Sequence, residues 1–336
     1  MAGYRNLRDK VVVITGASSG IGRASAWAFA RAGCRLALAG RNEAALEQCA
    51  RECRDLGADA LPLVTDVTSF RQVEALADAT LTRFGAIEVW VNDAAVSLFG
   101  RFEEVPLAEF ERVIRTNLMG TVHGCRAVLP IFREQKHGVI INVSSLAGTI
   151  GQPEISAYVT SKWAIRGLSE CLRMEVKDLP GIAVCTLLPP SVDTPLVQHA
   201  ANHTGRRPHP MPPVLQPEKV AEAVVALARH PRREVGMGPL PGLLEVAHAV
   251  ARGPTERVIA HRVEAAHFED APAPEGPGNL FTPVADAAHG GWAVPAAARR
   301  GTRTAVALAA GAAVAVPLGV YTWRKIQEAR RRSAYV

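Results

Sequence analysis

Several ingredients are scarce in this chain of 336 residues, and each scarcity narrows what the protein can be. Aromatic residues make up 5%, and the cysteines number six, all within the first 185 positions. Cys34, Cys49, Cys53, Cys125, Cys171 and Cys185 include no Cys-x-x-Cys pair, and no His or Cys pair stands ready to complete a zinc site with Cys49 and Cys53. They read as buried, reduced thiols, and no metal is expected. An apolar leader core is missing at the start, where Met1 to Lys10 is short and charged, which predicts a body kept in the reducing cytoplasm. No internal repeat is evident.

A true excess of positive charge is missing as well. The formal net charge is +6, but eight basic residues and one acid lie from Arg299 onward, which leaves 30 basic and 31 acidic residues in the body. Basic character therefore belongs to the tail, and nucleic-acid binding by the body has no electrostatic support.

What is abundant points to an α/β domain: 48% of the residues are hydrophobic, enough for a large core. Val11 to Ile14 is an unbroken β-branched run, as in a strand buried on both faces of a parallel sheet. It runs into Thr15-Gly16-Ala17-Ser18-Ser19-Gly20-Ile21-Gly22 and then a helical pattern from Arg23 to Ala32. Glycines there permit a tight turn and let a phosphate approach backbone N–H groups at a helix N-terminus. The spacing is not the commoner G-x-G-x-x-G. Further strands are predicted at Arg35 to Ala39, Ile87 to Val91, Gly138 to Val143, Ile182 to Leu188 and near Val235, with a long helix from Leu107 to Arg133.

Tyr158-Val159-Thr160-Ser161-Lys162 places a phenol and an ammonium four residues apart, on one face of a helix. A fixed cation favours the ionised phenol and brings it toward a range useful for proton transfer. Ser144-Ser145 ends the strand before it, and alternation sends the two hydroxyls to opposite sides.

Together these motifs, in this order, resemble the short-chain dehydrogenase/reductase family, whose Thr-Gly-x-x-x-Gly-x-Gly stands intact at residues 15–22. The resemblance runs to about residue 238. It implies a doubly wound, Rossmann-like parallel sheet in a three-layer αβα arrangement, with Asn117, Ser145, Tyr158 and Lys162 as catalytic residues. Ser145 is preferred to Ser144 because it stands thirteen residues before Tyr158. Lys162 is expected to lower the phenol pKa, and Asn117 to support a proton relay. The nicotinamide cofactor is expected to meet Thr15, Gly16, Ser18, Ser19, Gly20, Ile21, Gly22, Arg41, Asp66, Val67, Asn92, Ala94, Tyr158, Lys162, Pro189, Val192 and Thr194. Arg41, just past the second strand, suits the 2′-phosphate of NADP, where NAD would call for an acid. The family's Asn-Asn-Ala-Gly reads Asn92-Asp93-Ala94-Ala95 here, and its Pro-Gly-x-x-x-Thr reads Pro189-Pro190-Ser191-Val192-Asp193-Thr194. Pairing of two copies through the helices of Asn117 and Tyr158 is also implied.

Residues 195–217 carry six prolines with His199, His203 and His209, and read as a substrate lid with solvated histidines. Leu98, Phe99, Leu146, Ile150 and Trp163 suggest an apolar substrate pocket. The reading divides the chain into an NADP-binding domain at 1–240, a helical C-terminal extension at 241–270, a Pro/Gly-rich linker at 271–303, residues 304–323, and a basic tail at 324–336. The twenty residues from Thr304 to Trp323 carry no charge and as a helix would span about 30 Å, the depth of a bilayer core. A membrane anchor, a segment lying on the membrane surface, and a helix docked on a partner subunit are the three readings. The function expected is NADP-dependent interconversion of an apolar alcohol and carbonyl. The alternatives are an NADP-binding scaffold with little chemistry and a membrane-tethered interaction protein.

Overall fold

The computed structural model describes residues 2–238, 240–284 and 289–292. Its centre is a seven-stranded sheet in which every neighbouring pair is parallel. In chain order its strands are β1 (Val11–Thr15), β2 (Arg35–Gly40), β3 (Ala60–Val64), β4 (Val89–Asn92), β6 (Gly138–Val143), β7 (Ile182–Leu188) and β10 (Glu234–Gly236). Between them, β5 (Leu98–Phe99) pairs with β8 (Ala201–Asn202), and β9 (Arg206–Pro208) pairs antiparallel with β11 (Phe268–Pro272). Spatial order in the main sheet is β10-β7-β6-β4-β1-β2-β3. The chain winds outward from β1 in both directions, so a crevice opens where β1 and β4 part, beyond Thr15 and its register partner Asn92.

Helices cover both faces. On one lie α1 (Gly20–Arg31), α2 (Glu43–Asp55) and α7 (Pro217–Arg229), packed with Phe29, Leu36, Leu38 and Val224 into one apolar layer. On the other lie α3 (Phe70–Phe84), α5 (Gly120–Gln135) and α6 (Ser156–Glu175), around Trp90, Phe132 and Ile140. β1 is buried along its whole length, as a continuous apolar run requires when helices cover both faces. α8 (Leu240–Val250) and α9 (Arg252–Ala266) form the extension.

Two readings from the sequence change. The single helix expected from Leu107 to Arg133 is α4 (Leu107–Ile114), a π-helical turn at Arg115–Met119, and then α5. The wider turn carries Asn117, and such turns recur at functional sites. The linker expected from residue 271 is docked on the body as far as it is described: β11 joins β9, and Gly276 bridges Asn202. Among the described residues no helix is long and apolar enough to cross a membrane; residues 304–323 and 324–336 lie outside them.

Candidate active site

The turn after β1 holds Gly16 in left-handed backbone at φ +76°, a conformation costly for any residue with a Cβ. A Cβ on Gly22 would collide with the Gly16 carbonyl, so helix and turn can close only over glycine. Thr15 braces the far side: its Oγ1 accepts from the N–H groups of Asp93 (3.2 Å) and Ala94 (3.4 Å). Ser19 enters α1 in extended backbone without a side-chain cap, and the first turn holds no acid. The helix therefore presents its N-terminus to the cavity wall formed by Gly16, Ser18, Ser19, Gly20 and Ile21. This cradle fits a nucleotide's pyrophosphate.

At the other end of the crevice α6 delivers Tyr158 and Lys162 to the same cavity, and β6 delivers Ser145. Lys162 is buried, its Nζ donating to the Val143 carbonyl at 2.9 Å and lying 5.4 Å from the Tyr158 ring centre. The two serines separate as alternation predicts. The Ser144 hydroxyl donates to the Lys162 carbonyl at 2.8 Å, while the Ser145 hydroxyl is hydrogen-bonded to the Tyr158 phenol.

The expected lowering of the phenol is corrected by its surroundings. Burial pushes Tyr158 up to about 12, the Ser145 hydrogen bond works against this, and the negative charge of Asp93 adds to it. Burial is the main cause and Asp93 adds to it: a carboxyl stands in the cavity wall where the family has an amide. Burial raises the Asp93 carboxyl to about 7 although Lys162 and the Gly22 N–H both favour its charged form, and burial lowers Lys162 to about 8. Asn117, on the π turn, has a fully engaged side chain. Both N–H groups of its amide are spent, on the Val96 carbonyl (3.0 Å) and the Ser161 hydroxyl (3.0 Å), and its Oδ1 accepts from the Val96 N–H at 2.8 Å. Asn117 thus pins the chain after β4 to the π turn.

Beyond β2 and β3, Arg41, Asp66 and Val67 line the cavity, as do Ala94, Pro189, Val192 and Thr194. Asp66 is tied to Arg112 at 2.8 Å and accepts from the Thr68 hydroxyl at 2.8 Å. Burial works to raise its carboxyl, and these bonds overcome it, holding Asp66 below the usual carboxylate range. Asn92 lies off the groove, contrary to its expected cofactor contact. Its Oδ1 accepts from the Trp90 indole at 2.8 Å and its amide donates to Asn142 at 2.8 Å, in a polar chain that continues to Ser169 beneath the sheet.

The wall beyond Tyr158 is apolar: Phe99, Leu146, Ile155, Val197, Pro210 and Met211. Of the other residues expected there, Leu98 and Ile150 are core and Trp163 is exposed. The lid histidines are engaged rather than solvated: His199 lines the cavity, His203 pairs with Glu109 at 2.8 Å, and His209 stacks edge-on against Trp292. Sequence reasoning missed His267, which comes from the extension to line the cavity against Phe99. Burial, with His209 nearby, lowers it to about 4, so its ring is neutral at pH 7. No local motif marks it, because only folding brings α9 to this wall.

A Gly-lined phosphate cradle and a Tyr, Ser and Lys set on one parallel-sheet crevice define an oxidoreductase acting on CH–OH groups. The chain belongs to the short-chain dehydrogenase/reductase family: the family model described as short chain dehydrogenase matches residues 10–205. It is 35% identical over 258 residues to the uncharacterized oxidoreductase YxnA of Bacillus subtilis, covering 76% of this chain and 72% of that one. It is 37% identical over 189 residues to the 3-ketodihydrosphingosine reductase of Bos taurus, covering 55% and 57%. An alcohol dehydrogenase of Thermococcus sibiricus, solved in complex with 5-hydroxy-NADP, superposes with a TM-score of 0.61 at 32% identity over 68% of this chain and 96% of that one.

Proposed function

We propose that the protein is an NADP-dependent reductase of apolar ketones or aldehydes. What carries the reading is the Tyr158 phenol, hydrogen-bonded to Ser145 and opening onto an apolar wall. A phenol raised to about 12 stays protonated at neutral pH, which is the state that delivers a proton in the reduction direction. When bound, the nicotinamide supplies the hydride that reaches the carbonyl carbon. Ser145 orients the carbonyl oxygen, Tyr158 gives that oxygen its proton, and solvent restores the phenol. Lys162, fixed by the Val143 carbonyl with its Nζ 5.4 Å from the centre of the phenol ring, would hold the nicotinamide ribose and supplies positive charge beside the phenol as it gives up its proton.

NADP is favoured over NAD by the guanidinium of Arg41, in the place where NAD would call for an acid, and a similar solved enzyme carries an NADP derivative. An apolar substrate is supported by the Phe99 to Met211 wall and by a relative named for a ketone. The test is titration with NADPH and NADH, followed by NADPH oxidation over a panel of apolar ketones and aldehydes. Turnover of any member supports the reading; NADPH binding without turnover on a broad panel replaces it with the scaffold reading.

A further inference from the structure

The segment that follows β11 is built into the outer wall of the crevice. Its backbone carbonyls are held by two guanidinium groups reaching up from the body. Arg41 donates to the carbonyls of Asn279 at 2.6 Å and Leu280 at 2.9 Å, and Arg112 donates to Leu280 at 2.9 Å while its other arm grips Asp66. The Asn42 amide donates to the Val284 carbonyl at 2.8 Å. Leu280 is fully buried among Val96, Leu98, Val113, Ala157 and Ala201, which anchors the strap as a core residue would. The Asn279 N–H bonds the His199 carbonyl at 2.8 Å, so strap and lid are joined.

The strap carries one of the buried polar atoms left over. Among the described residues the side-chain oxygen of Asn279 has no hydrogen-bond partner, as is true of Thr116 Oγ1 and His267 Nδ1 on other residues lining the cavity. Asn279, Pro283 and Val284 line the same cavity as Arg41, Asp66 and Val67. A buried acceptor without a donor is costly, and its presence on a cavity wall marks the place of a donor that arrives with a ligand.

We infer that residues 279–284 complete the adenosine end of the cofactor site, and that Asn279 is a binding residue whose side-chain oxygen accepts a hydrogen bond from the adenosine half of the nucleotide. This rests on the nicotinamide-nucleotide reading above. That half of the ligand offers two kinds of donor, the adenine amino group and a ribose hydroxyl. The strap thus enlarges the site beyond the strand ends, and Arg41 serves it twice, as a clamp on the strap and as a cation beside the ribose.

The experiment is a fluorescence titration of wild type, Asn279→Ala and Leu280→Ala with NADPH and with its hypoxanthine analogue, which carries a carbonyl in place of the amino group, alongside thermal melting of each protein. Asn279→Ala is expected to melt with the wild type and to bind NADPH about three- to tenfold more weakly, the scale of one hydrogen bond. If the difference vanishes with the analogue, the donor is the adenine amino group; if it persists, the donor is a ribose hydroxyl, and either result supports the assignment. Leu280→Ala, which loosens the strap, is expected to weaken both ligands together. The inference is overturned if a wild type that binds NADPH is matched by Asn279→Ala within about twofold, less than one hydrogen bond is worth. A wild type that binds neither NADPH nor NADH overturns the cofactor reading beneath it, and this inference with it.

Discussion

Replacing Asp93 by Asn isolates the charge that sets the electrostatics of the crevice. The amide oxygen of Asn can still accept from the Gly22 N–H, so the change removes a charge and keeps the hydrogen bond. In the folded protein burial lifts this carboxyl from 3.8 to about 7, against the opposing pull of Lys162 and that N–H. A carboxyl raised in this way binds its proton more tightly folded than unfolded. Its favourable share of stability is therefore intact below its unfolded value and is lost as pH rises toward the folded one. The interval is worth about 4 kcal/mol at most; solvent entering the crevice screens it, and about 2 kcal/mol is the working figure. For a domain of this size that is about 4 to 8 °C in melting temperature. Wild type and Asp93→Asn melted side by side without cofactor, from a pH of about 4.5 to about 7.5, should diverge by that amount, the wild type losing ground as pH rises. Other carboxylates titrate in both proteins and cancel in the difference. Melting curves that keep a constant offset across the range would refute the reasoning. Lys162 acts with the opposite sign. Burial lowers it to about 8, the unfolded chain holds that proton longer, and stability recovers as pH climbs above that value. Removing Asp93 also takes away a charge that raises the phenol, so the alkaline fall in reductase rate should begin at lower pH in the variant.

Other outcomes follow from the same geometry. Tyr158→Phe should cut kcat by about 10² to 10⁴, the usual share of a positioned proton donor, while NADPH affinity by titration stays near wild type; retained turnover would remove the phenol from the mechanism. Gly22→Ala should weaken NADPH by about tenfold or more, because the added methyl forces the phosphate turn off helix α1, and equal affinity would show that the turn does not cradle phosphate. Arg41→Ala should cost NADPH about tenfold or more and NADH less. An unchanged ratio of the two affinities would end the case for a 2′-phosphate contact.

Much of this was legible along the chain, because it is written in short-range patterns. The apolar run of β1, the glycines behind it and the four-residue spacing of Tyr158 and Lys162 each depend only on local backbone geometry. Those features determined the doubly wound sheet, the phosphate cradle and the pair facing the crevice. The thirteen-residue spacing to Tyr158 that the family resemblance implies favoured Ser145 over Ser144, and strand alternation turns the two hydroxyls apart. What the tertiary structure alone decided is where charges and distant segments meet. The direction of the Tyr158 shift depends on burial and on Asp93, which no spacing on α6 reveals. Asn92 and Asn117 keep their places in the motifs, yet their amides are spent inside the fold, a matter of which partners packing brings within reach. Residues 271–284 have the proline and glycine content of a linker. Composition reports the chain's freedom, but Leu280 finding a buried pocket and two arginines finding its carbonyls are contacts between segments far apart along the chain, and such contacts exist only once the sheet has brought their partners together.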